Sequence, residues 1–357
     1  MKKPEISIIL CVYNGAAFLA ETLDSILCQT FPDWECVLID DCSQDATPEI
    51  LADYARREPR IRLFRNERNR GLQYSLNRAV NQARGRYMVR IDADDICRRD
   101  RLERQFAFME ANPAIAVSCC QVFLWKDGKT VSAPVCRRTD PDSVQALFLF
   151  FNPICHPGVI ARLADIRAFM YTEGFSCSED LKLWTEMLCA GKRFAVQDEY
   201  LLLYRLHDRQ ITVTDPRDRD QYREIIQAFY TGVLFQPSPA ELDFQVSGVY
   251  FRDTLDIDQL RRWLQKIRRE NQTRGVFPGR ALRYACLEIL LECRRAGVPA
   301  QKLTGALWSL GPLFTAWEMA ARAARRRQDA AKRRQGAAVF GLRPVPGGKN
   351  GMVVYTR

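Results

Sequence analysis

Histidine is nearly absent from this 357-residue chain, which has only His156 and His207. Cysteine is plentiful at thirteen, yet there is no CxxC pair and no Cys/His spacing of the zinc-ligand kind, so a structural zinc module has no support. No GxGxxG follows the first apolar run, which argues against a dinucleotide-binding oxidoreductase. Long apolar runs are also missing. The best membrane-span candidate, 303–321, is interrupted by Pro312 and Glu318. The start, Met1-Lys2-Lys3-Pro4-Glu5, leads into a strand-like segment without the apolar stretch of a signal peptide. No internal repeat is apparent.

What is present is ordinary for a globular protein: 47% apolar and 27% charged residues, in a chain long enough for one large or two moderate domains. The net charge of +10 suits an anionic partner without choosing among sugar nucleotide, phospholipid surface and nucleic acid. Cys11, Cys36 and Cys119 fall inside apolar runs, where a free thiol behaves as a small hydrophobe; the expectation is a reducing, cytoplasmic setting.

The first 125 residues alternate strand-like and helix-like segments, the pattern of a parallel sheet covered by helices. Ile6 to Val12 is a nearly continuous apolar run, as expected for a strand buried on both faces. A helix follows over 17–29, then a second apolar run, Cys36 to Ile39, ending in Asp40-Asp41. Thr47-Pro48 reads as an N-cap with proline at the first helical position. A third strand is expected over 61–64, a helix over 73–84 stopped by Gly85, and a fourth strand over 87–91. That strand runs directly into Asp92-Ala93-Asp94-Asp95. A helix from Arg101 to about Asn112 and a strand over 115–125 come next, with Asp127-Gly128 as a hairpin signal. From about 216 the alternation stops; 220–270 and 280–323 read as amphipathic helices and 336–357 as a loosely ordered tail.

Ligands of an open parallel sheet bind beyond the carboxyl ends of its strands, which is where the polar residues of this chain sit. Three carboxylates within four residues at the end of a buried strand are costly unless something positive meets them. A hard divalent cation bridging phosphate oxygens does so with one or two protein carboxylates. A solvated acidic turn is the plainer alternative for this stretch taken alone.

The order of motifs moves the balance. Ser7 to Gly15, Ser25 to Thr30, Asp40-Asp41-Cys42-Ser43-Gln44-Asp45-Ala46-Thr47, Asn69-Arg70-Gly71-Leu72 with Leu76-Asn77, and Arg90 to Asp95 together resemble family-2 glycosyltransferases of the GT-A fold. Cys11 and Cys42 stand where proline and glycine are usual in that family. The resemblance continues, less densely, through Asn152-Pro153-Ile154-Cys155-His156-Pro157, Ser178-Glu179-Asp180 and Tyr204-Arg205-Leu206-His207.

The resemblance implies an α/β fold of GT-A type, a Rossmann-like, mostly parallel sheet flanked by helices, over residues 1–215. Residues 1–125 would bind the nucleotide sugar and 126–215 the acceptor, with a helical C-terminal region over 216–335. It implies an inverting, metal-dependent transfer from a nucleoside-diphosphate sugar, UDP-sugar foremost, to a glycan or lipid-linked acceptor of cell-surface polysaccharide. Val12, Tyr13, Asp40, Asn69 and Asp92 would bind the nucleotide. Asp94, with Asp95, would hold Mn2+ or Mg2+. His156, Arg205 and His207 would face diphosphate or acceptor, and Asp180, or next Glu179, would be the base. The residue types suit the chemistry. A carboxylate accepts the imide N–H of uracil while an aromatic ring packs on its face, and a sugar hydroxyl needs a base to take its proton.

Farther on, Arg322, Arg325, Arg326, Arg327, Lys332, Arg333 and Arg334 surround one acid, Asp329, with Trp308, Leu313, Phe314 and Trp317 upstream. Besides a solvated helix face, this suggests peripheral contact with an anionic membrane; nucleic acid is not expected, since no reader motif accompanies the basic run. Two further readings are a sugar nucleotidyltransferase and a non-catalytic binding module built on that basic helix. The first lacks its glycine-rich loop with Arg and Lys after strand one.

Overall fold

Ile6–Val12 forms strand β1, six of its seven residues buried, because both faces of the run are apolar. Ile6, Ile8, Leu10 and Val12 enter one core and Ile9 the other, the period-two alternation of an extended chain. The computed structural model describes residues 3–126, 129–133 (backbone only), 138–175, 177–210, 218–312, 314–316, 318–320, 323, 340, 342–344 and 353–355. After β1 come α1 (Leu19–Leu27), β2 (Trp34–Asp40), α2 (Thr47–Arg57), β3 (Ile61–Arg65), α3 (Leu72–Gln82), β4 (Tyr87–Arg90) and β5 (Ile96–Cys97). Then follow α4 (Arg101–Ala111), β6 (Ile115–Lys126), β7 (Lys129–Ala133), α5 (Pro141–Leu147), β8 (Val159–Arg162), α6 (Leu163–Phe169), α7 (Glu179–Cys189) and β9 (Arg193–Arg205).

The strands lie in the order β3-β2-β1-β4-β8-β6-β9-β5, with β7 added on β6. β3, β2, β1 and β4 are parallel, as the alternation with helices predicts. Beyond β4 the sheet is mixed. β8 runs antiparallel to both β4 and β6, and the two-residue β5 runs antiparallel to β9, while β6 and β9 are parallel. The expected parallel order therefore holds for the first half only, since a short return strand needs no crossover helix.

Two local expectations need correction. Helix α2 begins at Thr47, not after it; its flanking residue is Ala46, and the Thr47 hydroxyl accepts from Gly15 N at 2.9 Å. Gly85 does not cap α3, which ends at Gln82 with Ala83 extended. Its role is close approach: a Cβ there would stand 2.6 Å from Ser7 N and 2.9 Å from Ile6 C. Both are backbone atoms of β1 and cannot yield. Gly85→Ala should therefore destabilise the protein by about 3 kcal/mol, the upper end of overpacking penalties, read from the midpoint of denaturant unfolding.

The C-terminal part is helical: Arg219–Val233, Pro239–Asp243, Ile257–Arg274, Gly279–Arg295 and Ala300–Ser309, with a π-helical turn at Phe244–Tyr250. The stretch 220–270 is several helices, because Ser238 and Glu241 form a capping box that starts one and Asp256 caps the next. These helices share a core with the sheet: Trp263, Leu282 and Ala285 belong to the same cluster as Val117, Leu147 and Phe148. Among the described residues no helix is long and apolar enough to cross a membrane. The basic run from Arg322 to Arg334, the Asp127-Gly128 turn, and the side chains of Leu313 and Trp317 lie outside the described residues. So does most of 336–357. Of that tail, Phe340 is buried against Phe123, and Leu342–Pro344 pairs with Val353–Tyr355.

Candidate active site

The sheet order brings the ends of β2, β1 and β4 side by side: Val12 pairs with Asp40, and Ile9 with Arg90. Asp40, Val12-Tyr13 and Asp92 thus follow one another along one edge. Asp40 is buried; its Oδ1 accepts from Ser43 N at 2.9 Å. Its Oδ2 lies 3.2 Å from Arg65 Nε, outside hydrogen-bond geometry. Val12 is buried, whereas the Tyr13 ring is half exposed, open to a flat partner. Asn69 is exposed, its carboxamide oxygen accepting from Gly71 N at 3.1 Å within its own loop.

The remaining residues of the 40–47 motif tie loops together. Asp41 accepts from Asn66 Nδ2 at 2.6 Å and from Arg70 N and Gly71 N at 2.8 Å, fixing the 69–71 loop. Ser43 Oγ accepts from Asn14 N at 2.9 Å and Asp45 from Ala16 N at 3.2 Å. The loop after β1 is therefore clamped by the loop after β2. Asn14 takes φ 54°, a left-handed conformation that asparagine tolerates.

Thr22 of α1 and the Ser25–Thr30 motif perform the same service in and beyond the acidic stretch. Thr22 Oγ1 donates to Ala93 O at 2.9 Å, and Cys97 N donates to Ser25 Oγ at 3.1 Å. Gln29 bridges Arg98 O and Leu102 N. Asp92, Asp94 and Asp95 then each offer a carboxylate oxygen, all within 4.8 Å of one another. His207 Nε2 stands 2.8 Å from Asp94 Oδ2. Asp95 is fully buried; Oδ1 accepts from Arg205 N at 3.0 Å, while Oδ2 has no hydrogen-bond partner. An orphaned buried carboxylate oxygen among converging carboxylates fits a hard divalent cation, and oxygen donors with one imidazole suit Mg2+ or Mn2+. Burial and the neighbouring carboxylates push Asp95 well above the usual carboxylate range. Partial burial moves Asp92 up to about 6, against the opposing pull of Arg90.

Arg205 is buried too. Its Nη2 lies 2.5 Å from Glu21 Oε2, its Nε donates to Asp94 O at 2.9 Å, and its guanidinium lies 4.6 Å from the Phe18 ring centroid. Its charge is met inside the protein by Glu21.

An acidic pair lies within electrostatic reach of this trio. Glu179 and Asp180 open α7, and Asp180 is only half buried. Asn152 Nδ2 donates to Asp180 Oδ2 at 2.8 Å and Leu181 N to Oδ1 at 2.7 Å, so the carboxylate is held in orientation. Desolvation raises Asp180; desolvation and then the Asp180 charge push Glu179 up to about 7. His156 is walled in, its Nε2 2.8 Å from Tyr171 OH and its Nδ1 3.8 Å from Glu179. Burial, and then the charge of Arg90, hold its pKa well below the usual imidazole value, so the ring is neutral.

The sequence reading passed over the cations that organise these groups. Arg90 is 4% exposed; it grips Asp92 through both carboxylate oxygens, one at 2.6 Å, and its charge reaches Glu179, Asp180 and Tyr171. Arg101, wholly buried, donates to Arg90 O at 2.9 Å and Pro157 O at 2.8 Å. An arginine inside the apolar run 87–91 was the available signal, because a buried cation must be paired.

Known proteins resemble this chain in sequence and fold. The model of "Glycosyl transferase family 2" matches residues 7–153. An uncharacterised glycosyltransferase of Methanocaldococcus jannaschii is 31% identical over 212 residues, covering 58% of this chain and 73% of that protein. The chain is a family-2 glycosyltransferase. A succinoglycan biosynthesis protein of Rhizobium meliloti is 30% identical to this transferase over 223 residues, 59% of this chain and 63% of its own. Residues 1–349 of S. aureus TarS, solved with UDP-GlcNAc, superpose on the transferase with a TM-score of 0.57 at 19% identity. They cover 82% of this chain and 87% of theirs, a likeness that establishes the GT-A fold.

Proposed function

We propose that this transferase moves a sugar from a nucleoside-diphosphate sugar, UDP-sugar first among them, to a hydroxyl of a glycan or lipid-linked acceptor during cell-surface polysaccharide synthesis. The anomeric centre is inverted in a single displacement. One observation carries the reading: the Asp92-Asp94-Asp95-His207 group and the half-buried Asp180 are separate acidic centres, and the charge of Arg90 acts on both. That leaves a diphosphate-side acidic centre and a separate carboxylate base. Support for UDP comes from the TarS complex, and for polysaccharide from the succinoglycan relative.

Residues 1–125 bind the donor and 126–215 the acceptor. Asp40 receives the base edge, Tyr13 packs on its face, Val12 lines the pocket, and Asn69 and Asp92 lie toward the nucleoside. Asp94, with Asp95, would hold Mn2+ or Mg2+, and His207 beside Asp94 would face the diphosphate. Held there, a divalent cation would supply Lewis-acid stabilisation of the charge on the departing diphosphate. Asp180 accepts the proton of the acceptor hydroxyl as its oxygen attacks C1, held in line by Asn152. Glu179 is the neighbour that tunes it, and neutral His156 with Tyr171 forms the wall. The enzyme works in the cytoplasm, with peripheral contact to anionic membrane through the basic run after Trp308, itself exposed.

Calorimetric titration with UDP, GDP, dTDP and CMP, with and without Mn2+, tests the reading. Metal-dependent binding of one nucleoside diphosphate is expected, and a folded sample that binds none of them overturns it. The base also sets a pH dependence. It acts deprotonated, and its pKa is raised, so kcat/KM should fall as pH drops through a value above the ordinary carboxylate range. The titration belongs to the interacting Asp180–Glu179 pair, both members of which desolvation raises. A kcat/KM profile against pH measures it, and an acid limb at the ordinary carboxylate value would count against Asp180 as the base.

A further inference from the structure

The acidic turn is held from behind by α1. Thr22 Oγ1 donates to Ala93 O at 2.9 Å, and one residue earlier Glu21 pairs with Arg205, whose Nε donates to the next carbonyl, Asp94 O, at 2.9 Å. Two successive carbonyls of the turn are thus fixed by two successive residues of one helix. The Arg205 backbone adds a third tie, to Asp95 Oδ1 at 3.0 Å, and Gln210 Nε2 holds the Arg205 carbonyl at 2.7 Å. The Phe18 ring fills the corner, facing the Arg205 guanidinium and lying 4.8 Å from the His207 ring. The side chains of Arg205 and Glu21 are 5% and 11% exposed, so water does little to screen them.

We propose that Glu21 is a positioning residue of the metal centre: by neutralising Arg205, it lets that arginine brace the Asp92–Asp95 turn without competing for its carboxylates. The inference rests on the metal reading above. Its physical basis is simple. A guanidinium beside three carboxylates is drawn to them, and any carboxylate it captures is lost to a divalent cation. Glu21 supplies the counter-charge from the other side, leaving Arg205 to bind the turn through a carbonyl. Arg205 thereby acts on the diphosphate only through the turn it braces.

The test measures Mn2+ affinity by electron paramagnetic resonance, alongside calorimetric binding of UDP in metal-free buffer, on the full chain. Glu21→Gln is nearly isosteric and removes only the charge. It should weaken Mn2+ by about tenfold, one released charge damped by the acids around it, with metal-free UDP affinity unchanged. The double variant Glu21→Gln/Arg205→Gln removes the released cation as well and should regain most of the lost Mn2+ affinity. A purely packing role predicts the opposite order, with the double variant weaker than the single one in both measurements; that order, or unchanged Mn2+ binding in Glu21→Gln, sinks the proposal. Wild-type and Asp94→Asn proteins separate this from the underlying reading. If the wild type binds no Mn2+, or binds it equally well in Asp94→Asn, the metal reading fails and this inference fails with it.

Discussion

Asp180→Asn is expected to lower kcat by roughly 10²- to 10⁴-fold, the contribution of a positioned general base, while leaving the affinity for the donor nucleotide unchanged. The substitution keeps the side chain's shape, and one oxygen remains to accept from Leu181 N, as Asp180 Oδ1 does at 2.7 Å. The fold should therefore survive. The split follows from role, because Asp180, at the start of α7, is not among the residues at the β1, β2 and β4 ends proposed to hold the nucleotide. Steady-state kinetics combined with calorimetry of UDP checks it. Equal losses in kcat and nucleotide affinity would move Asp180 from base to binding residue, and an unimpaired kcat would leave Glu179 as the candidate.

Asp94→Asn should abolish the Mn2+-dependent component of nucleotide binding and lower kcat/KM on the order of 10³-fold, because several kcal/mol of charge stabilisation disappear with the cation. Asp94 is the right member of the trio to change. Asp95 is sealed in the interior and also braces Arg205 N, so removing its charge disturbs packing; Asp92 is already gripped by Arg90. Asp94 is partly exposed and its close side-chain partner is His207, at 2.8 Å. Titration of the variant with UDP in the presence and absence of Mn2+ reads the effect directly: identical curves are expected, and a retained metal increment would assign the cation elsewhere.

Much of this centre could be read from the sequence because it depends on short-range order. A strand ending in Asp92-Ala93-Asp94-Asp95 declares itself by composition, and Glu179-Asp180 declares itself as the charged start of a helix. Motif resemblance, not spacing, raised the two histidines above ordinary packing residues. Their fates differ: His207 touches Asp94, while His156 is sealed behind Tyr171. The 40–47 motif was legible as a unit but not in its division of labour. Only the fold reveals that Asp41, Ser43, Asp45 and Thr47 spend their hydrogen bonds on the loops after β1 and β3. Glu21 and Arg101 could not be assigned from sequence, because their partners lie 184 and 56 residues away and the pairing follows from strand order and burial. Arg90, two residues from Asp92, was signalled only as a charge inside an apolar run. The mixed half of the sheet escaped for a related reason. Two- and four-residue strands such as β5 and β8 have too few positions to show a period.

The edge strand Ile96–Cys97 has a consequence for the order in which the protein is made. It follows Asp95 directly, and its partner among the described strands is Leu202–Leu203, more than a hundred residues downstream. Arg205 and His207, which brace the acidic turn, come later still. While the ribosome is producing the first half of the chain, β1 to β4 already have their parallel neighbours and Asp92 has Arg90, but Asp94 and Asp95 wait without the groups that will hold them. The turn is thus closed from the far end of the domain, by Arg205 at the end of β9 and His207 just beyond it, both synthesised after the acceptor-side helix α7. A nascent transferase acquires its cation-binding geometry only when Asp180 has already been supplied.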